Sequence, residues 1–209
     1  MPRGRFITLE GGEGAGKSTQ LRALATELRG RGLEVIETRE PGGSAGAEAI
    51  RALLLTGSAE RWTSRAEALL FAAARSDHVE RLIRPALERG AWVLCDRFID
   101  SSRAYQSGAS GLADADILDL HRIGSGGLMP DRTLLLLLSP EEAASRAHAR
   151  DGGASDRFGA RDRAFHDRVR DAFLGYAAQE PERIRRVDAS GMAQDVTARL
   201  LDEIMDLLP

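Results

Sequence analysis

A chain of 209 residues, 43% hydrophobic and 29% charged, is long enough to bury one core in one domain. Its net charge of −3 and pI near 5.9 lack the basic excess that nucleic-acid-coating and membrane-surface proteins carry. The all-leucine run Leu134–Leu138, like every other apolar run in the chain, is far too short to cross a bilayer, so neither nucleic acid nor membrane is an expected partner.

The first ten residues lead into a strand-like segment without the apolar core of a signal peptide. The single cysteine, Cys95, lies in an apolar stretch and reads as a small buried hydrophobe. Both features suit a cytoplasmic setting. Strands are predicted at Phe6–Glu10, Leu33–Thr38, Ala91–Asp96, Arg132–Ser139 and Ile184–Asp188. Most are apolar runs rather than alternations, as expected of parallel strands covered on both faces. Helices are predicted at Lys17–Gly30, Ala45–Leu55, Arg65–Arg89, Ala113–Leu128, Pro140–Arg150, Ala160–Ala178 and Met192–Leu208, with Gly32 and Gly90 as C-terminal caps. Alternating strands and helices imply an α/β doubly wound fold whose ligands sit beyond the carboxyl ends of the strands. The Gly-, Ser- and Asp-rich stretch Asp151–Arg161 reads as a loop or a mobile lid.

Gly11-Gly12-Glu13-Gly14-Ala15-Gly16-Lys17-Ser18, followed by Thr19, fits G-x-x-x-x-G-K-[ST] without a mismatch, between a strand and a helix. The glycines allow backbone N–H groups to turn inward around a polyphosphate at a helix N-terminus. Lys17 is expected on the β/γ oxygens of ATP and the Ser18 hydroxyl on Mg²⁺. Of 29 basic residues Lys17 is the only lysine, a compact point charge where the rest of the chain uses the planar arginine fork. The same fact excludes the Asn-Lys-x-Asp guanine motif of GTPases. Asp96 and Arg97 end a predicted strand and face the same crevice. Asp96 suits a magnesium water and Arg97 a bidentate phosphoryl clamp.

Asp96-Arg97-Phe98-x-x-Ser101-x-x-Ala104-Tyr105-Gln106 resembles the signature segment of thymidylate kinases. Thr38-Arg39-Glu40-Pro41-Gly42-Gly43 resembles that family's second-strand motif, and Leu70-Phe71-Ala72-Ala73-Ala74-Arg75 its nucleobase helix. The similarity runs from Phe6 to about Asp188, with Ser107 standing where glycine is common. It implies a P-loop nucleoside monophosphate kinase-like fold: a five-stranded parallel sheet in one domain over residues 1–209, with a mobile lid at about 146–161. It also implies Mg²⁺ and ATP, dTMP as acceptor, and a homodimer to which the Arg65–Arg89 helix contributes.

The resemblance assigns roles residue by residue. Phe71 would stack on the pyrimidine while Arg75, four residues on and so on the same helix face, donates to its O4. Glu13 would accept from the 3′-hydroxyl, and Tyr105 would crowd the 2′ position. Arg39 and Arg97 would lie near the acceptor phosphate, with Pro41, Ser101 and Gln106 lining the same site. Glu10 would lie near the magnesium shell with Ser18 and Asp96. Arg146 would pack on adenine. Family members carry a catalytic arginine in the P-loop or in the lid, and Gly14 here leaves it to the lid, at Arg150 or Arg157, with Arg161 and Arg163 as further alternatives. The loop between them is longer than usual, and Gly159 stands where an acidic residue is common. His78, His121, His148 and His166 lack metal-ligand spacing and are read as non-catalytic. Two rivals remain: a kinase for another nucleotide or a deoxynucleoside, and an ATP-binding regulatory module with no acceptor site.

Overall fold

Five parallel strands carry the molecule, in the order β2-β3-β1-β4-β5. They are β1 (Phe6–Glu10), β2 (Val35–Arg39), β3 (Trp92–Asp96), β4 (Arg132–Leu137) and β5 (Ile184–Asp188). The computed structural model describes residues 3–58, 60–139, 141–143, 146, 157–159 and 161–209. The central strands β1, β3 and β4 are buried almost throughout, as their unbroken apolar runs require. The edge strands β2 (VIETR) and β5 (IRRVD) carry polar residues because one side of each faces no neighbouring strand.

Helices cover the sheet. They are α1 (Lys17–Gly30), α2 (Ala45–Leu55), α3 (Ser64–His78), α4 (Arg84–Glu88), α5 (Ile99–Ser102), α6 (Asp114–Ser125), α7 (Arg163–Gln179) and α8 (Ala193–Asp202). Local chemistry starts three of them: Ser44, Thr63 and Asp162 accept from the backbone N–H of Ala47, Ala66 and Phe165. Gly32 closes α1 at φ 84°, its N–H on the Arg29 carbonyl. One core layer packs α1 and α8 against β1 and β4; another packs Val79, Ile83 and Leu87 against Phe6, Val93 and Phe98.

Several predicted boundaries shift. The helix expected over Arg65–Arg89 is α3 and α4 joined by a π-helical turn, Val79–Ile83, with Pro85 at the start of α4. A second π-helical segment, Arg103–Ala109, continues α5 and carries Tyr105 and Gln106. The last helix stops at Asp202 and gives way to a short 3₁₀ turn, Met205–Leu207. Residues 141–143 and Arg146 are helical; the rest of the expected Pro140–Arg150 helix, with Arg150 and His148, and most of the expected lid lie outside the described residues. Among the described residues no helix is long and apolar enough to cross a membrane.

Candidate active site

The sheet order makes the site. Strand β1 lies between β3 and β4, so the chain leaves in opposite directions on its two sides and opens a crevice at the carboxyl ends. Register sets Asp96 opposite both Leu9 of β1 and Arg39 of β2. The β1 turn, the β3 turn and the end of β2 therefore meet at one edge.

The loop after β1 is wound tightly: Gly11, Gly14 and Gly16 have φ of 139°, 74° and 84°. A Cβ on Gly11 would sit 2.5 Å from the Leu136 carbonyl, so backbone packing admits only glycine there. Lys17 Nζ donates to the carbonyls of Gly12 (2.8 Å) and Gly11 (3.2 Å). Burial, aided by Arg97, lowers its pKa to about 8. The ammonium is thus held in the mouth of the loop with little water around it, as a polyphosphate-binding charge should be. The loop, the start of α1, Arg39, Asp96, Arg97, Arg146 and Ala189–Val196 line an open cleft of about 860 Å³. Arg146 is fixed there by a bond to the Ala189 carbonyl (3.2 Å).

Ser18 Oγ donates to Asp96 Oδ2 at 2.6 Å, a hydroxyl and a carboxylate side by side in this cleft. Such a pair of hard oxygens fits Mg²⁺ completed by phosphate and water, and no fuller cluster of His, Cys, Asp or Glu exists among the described residues. Glu10 is fully buried and accepts from Phe98 N (2.8 Å), Ser101 N (3.1 Å) and Ser101 Oγ (2.6 Å), with its pKa raised to about 7 chiefly by burial. Its carboxylate ties the turn after β3 to β1.

Arg97 sits at φ 69°, the only non-glycine residue with positive φ among the described residues. The conformation swings its guanidinium back over the P-loop: Nη2 to Glu13 (2.7 Å), Nη1 to Ser101 Oγ (3.1 Å) and the Gly11 carbonyl (3.2 Å). Strain of this kind persists where surrounding contacts hold it, commonly at functional sites.

Beyond Arg97 opens a second, smaller pocket of about 100 Å³ with an aromatic lining: Phe71, Phe98, Tyr105 and Phe158, with Arg75, Gln106, Pro41 and Glu13. Glu13, Glu40, Arg51 and Arg97 line both spaces, so the two join at the guanidinium groups. Arg75 is 3% exposed; its Nε donates to Glu40 (2.8 Å) and its Nη2 to Ser102 Oγ (2.7 Å). Nη1 has no hydrogen-bond partner among the described residues. The Tyr105 hydroxyl is buried and likewise unpartnered among them, an orphan that a ligand oxygen can satisfy. Gln106 donates to Glu67 (3.0 Å). Arg39 pairs with Glu48 (3.1 Å) and reaches only the P-loop cleft.

Arg157 is displaced from its expected role. Its guanidinium is buried under the second pocket, bonded to Glu67 and to the Leu54 carbonyl (3.1 Å). It lines neither space. Phe158, next in sequence, packs edge-on against Phe71 and Tyr105 at 5.7 and 6.1 Å between centroids. Cys95 is buried, its thiol pushed well up by burial, and its Sγ donates to the Arg97 carbonyl (3.0 Å).

A sequence model of the thymidylate kinase family matches residues 9–200. The chain belongs to that family. It is 66% identical over 209 residues to the thymidylate kinase of Rhizorhabdus wittichii, with both chains covered in full. It is 52% identical to that of Caulobacter vibrioides, over 100% of this chain and 99% of the other. The crystal structure of thymidylate kinase from Ehrlichia chaffeensis matches with a TM-score of 0.78 at 31% identity, over 98% of this chain and 99% of that one. The α/β fold and parallel sheet expected from the family motifs are those observed. Sequence reasoning missed Glu40, Arg51, Ser102 and Phe158 in the lining. Arg51 bonds the Pro41 carbonyl (2.7 Å), but among so many arginines nothing in the sequence distinguishes it.

Proposed function

We infer that this chain transfers the γ-phosphoryl group of ATP to dTMP, giving ADP and dTDP. One observation carries the reading beyond family membership: a P-loop cleft and an aromatic pocket open into each other at Arg97. An oxygen of the dTMP phosphate attacks the γ-phosphorus, and the bond to the β–γ bridging oxygen breaks. The acceptor is already an anion, so positioning and charge neutralisation do the catalytic work. Lys17 holds the β/γ oxygens at the loop mouth. Ser18 and Asp96 would hold Mg²⁺, which when bound would supply neutralising charge for the phosphate oxygens. Arg97 clamps the acceptor phosphate between the two spaces, while Phe71 faces the thymine ring and Arg75 Nη1 donates to its O4. Glu13, paired with Arg97, lies where the sugar 3′-hydroxyl would enter. With Arg157 occupied elsewhere, the lid arginine is assigned to Arg150.

The protein is proposed to act as a single kinase domain, in the cytoplasm, as a homodimer. The large apolar side chains exposed on α3 (Leu69, 56%) and α6 (Ile123, 74%) support a self-association face. The direct test is ADP release measured with a panel of nucleoside monophosphates. The reading expects turnover that depends on dTMP. ATP binding without acceptor-dependent ADP release would instead identify a regulatory module.

A further inference from the structure

Behind the pocket, and outside every space a nucleotide could enter, lies a fully buried histidine. His78 ends α3, one turn after Arg75, and is 0% exposed. Its Nδ1 is 3.1 Å from Glu40 Oε1, and its Nε2 is 2.7 Å from Thr38 Oγ1. Glu40 is itself buried and accepts on its other oxygen from Arg75 Nε at 2.8 Å. A carboxylate only accepts, so the proton belongs on Nδ1, and in the neutral ring Nε2 accepts from the Thr38 hydroxyl. The result is one chain of bonds, Thr38–His78–Glu40–Arg75, running from the end of β2 into the base pocket. The backbone closes it from behind: a Cβ on Gly43, at φ 87°, would sit 2.3 Å from His78 Nε2.

We propose that His78 is a positioning residue for base recognition: through Glu40 it fixes the guanidinium of Arg75, and with it the discrimination of thymine from cytosine. The inference rests on the dTMP reading and on Arg75 meeting position 4 of the ring. A guanidinium distinguishes a carbonyl from an amino group only if its free N–H points in one direction, because an arginine free to swing can turn away from the wrong base. Two of the three nitrogens of Arg75 are held, by Glu40 and by Ser102, and Nη1 remains for the base. Glu40 could follow Arg75 if it moved; the bond from His78 prevents that. The histidine touches no nucleotide, so its removal acts on acceptor binding and specificity and spares ATP.

The test measures kcat and KM for dTMP and dCMP in the parent protein, His78→Leu and His78→Asn, with the KM for ATP alongside. His78→Leu is expected to raise the KM for dTMP roughly 10–150-fold, the range for losing a buried bond to a charged group. It should also narrow the dTMP-to-dCMP ratio of kcat/KM and leave the KM for ATP unchanged. His78→Asn keeps a donor where Nδ1 stood and should recover most of the ratio, which a merely space-filling role would not produce. A parent-like ratio in His78→Leu, or an asparagine variant as indiscriminate as the leucine one, overturns the proposal. If His78→Leu does not fold, Thr38→Val removes only the outer bond; it should narrow the ratio in the same direction, and an unchanged ratio overturns the proposal. Failure of the substrate reading is seen separately, in a parent protein that does not prefer dTMP.

Discussion

Lys17 is 7% exposed and carries its charge against the cost of burial, which brings its pKa from 10.5 down to about 8. Phosphate oxygens beside it favour the charged form and push that value back up. ATP binding at pH 9 should therefore take up a proton that binding at pH 6.5 does not, as calorimetry in buffers of different ionisation enthalpy reads directly. The KM for ATP should rise as pH climbs through about 8. Without nucleotide the depressed value has the opposite consequence for folding: between pH 8 and 10.5 the unfolded chain binds more protons, so stability increases with pH across that window. Arg97 makes a second residue-level prediction. At φ 69° an alanine is strained and a glycine is not, so Arg97→Gly should be more stable than Arg97→Ala by about 1 kcal/mol in denaturant titration, with both inactive. Elsewhere glycine is the more destabilising choice. Lys17, Asp96 and Arg97 were legible in the sequence because each is tied to a local motif at a strand end. Glu10 was not: its bonds are set by Phe98 and Ser101, which arrive on the turn after the neighbouring strand β3, far away in sequence.

Elements were read well where period and punctuation agreed, and less well where packing intervened. Strands β1 and β5 and helices α1 and α2 fall on their predicted bounds. The π-helical segments at Val79–Ile83 and Arg103–Ala109 leave no mark in composition; the second turns Tyr105 and Gln106 toward the pocket. Arg157 shows the limit most clearly. A surface arginine and a buried one look alike in sequence, and only the fold brings Glu67 of α3 beneath residues 157–158. Removing one partner of a buried ion pair costs about 3–5 kcal/mol. Arg157→Ala should lower Tm clearly and raise the KM for dTMP through Glu67, Gln106 and Phe158. Arg150→Ala should instead cut kcat and leave Tm alone. A kcat-specific loss in Arg157→Ala, with unchanged stability, would return the catalytic role to that residue.

At the scale of the molecule, one sheet places a triphosphate cradle and a base pocket side by side, and the account stands on what the pocket selects. Thymine and uracil share the O4 acceptor that Arg75 is proposed to meet and differ by a methyl group, which a fitted pocket turns into roughly 10–200-fold. Cytosine presents an amino donor at the same position, which a buried guanidinium can only oppose, so its penalty is larger. The most direct measurement is kcat/KM for dTMP, dUMP and dCMP on the parent protein and on Arg75→Ala. The predicted order is dTMP, then dUMP modestly behind, then dCMP far behind, with Arg75→Ala narrowing the gap to cytosine and leaving the thymine-to-uracil ratio nearly unchanged. Cytosine exclusion that survives Arg75→Ala, or a parent protein that prefers another acceptor, would contradict the account.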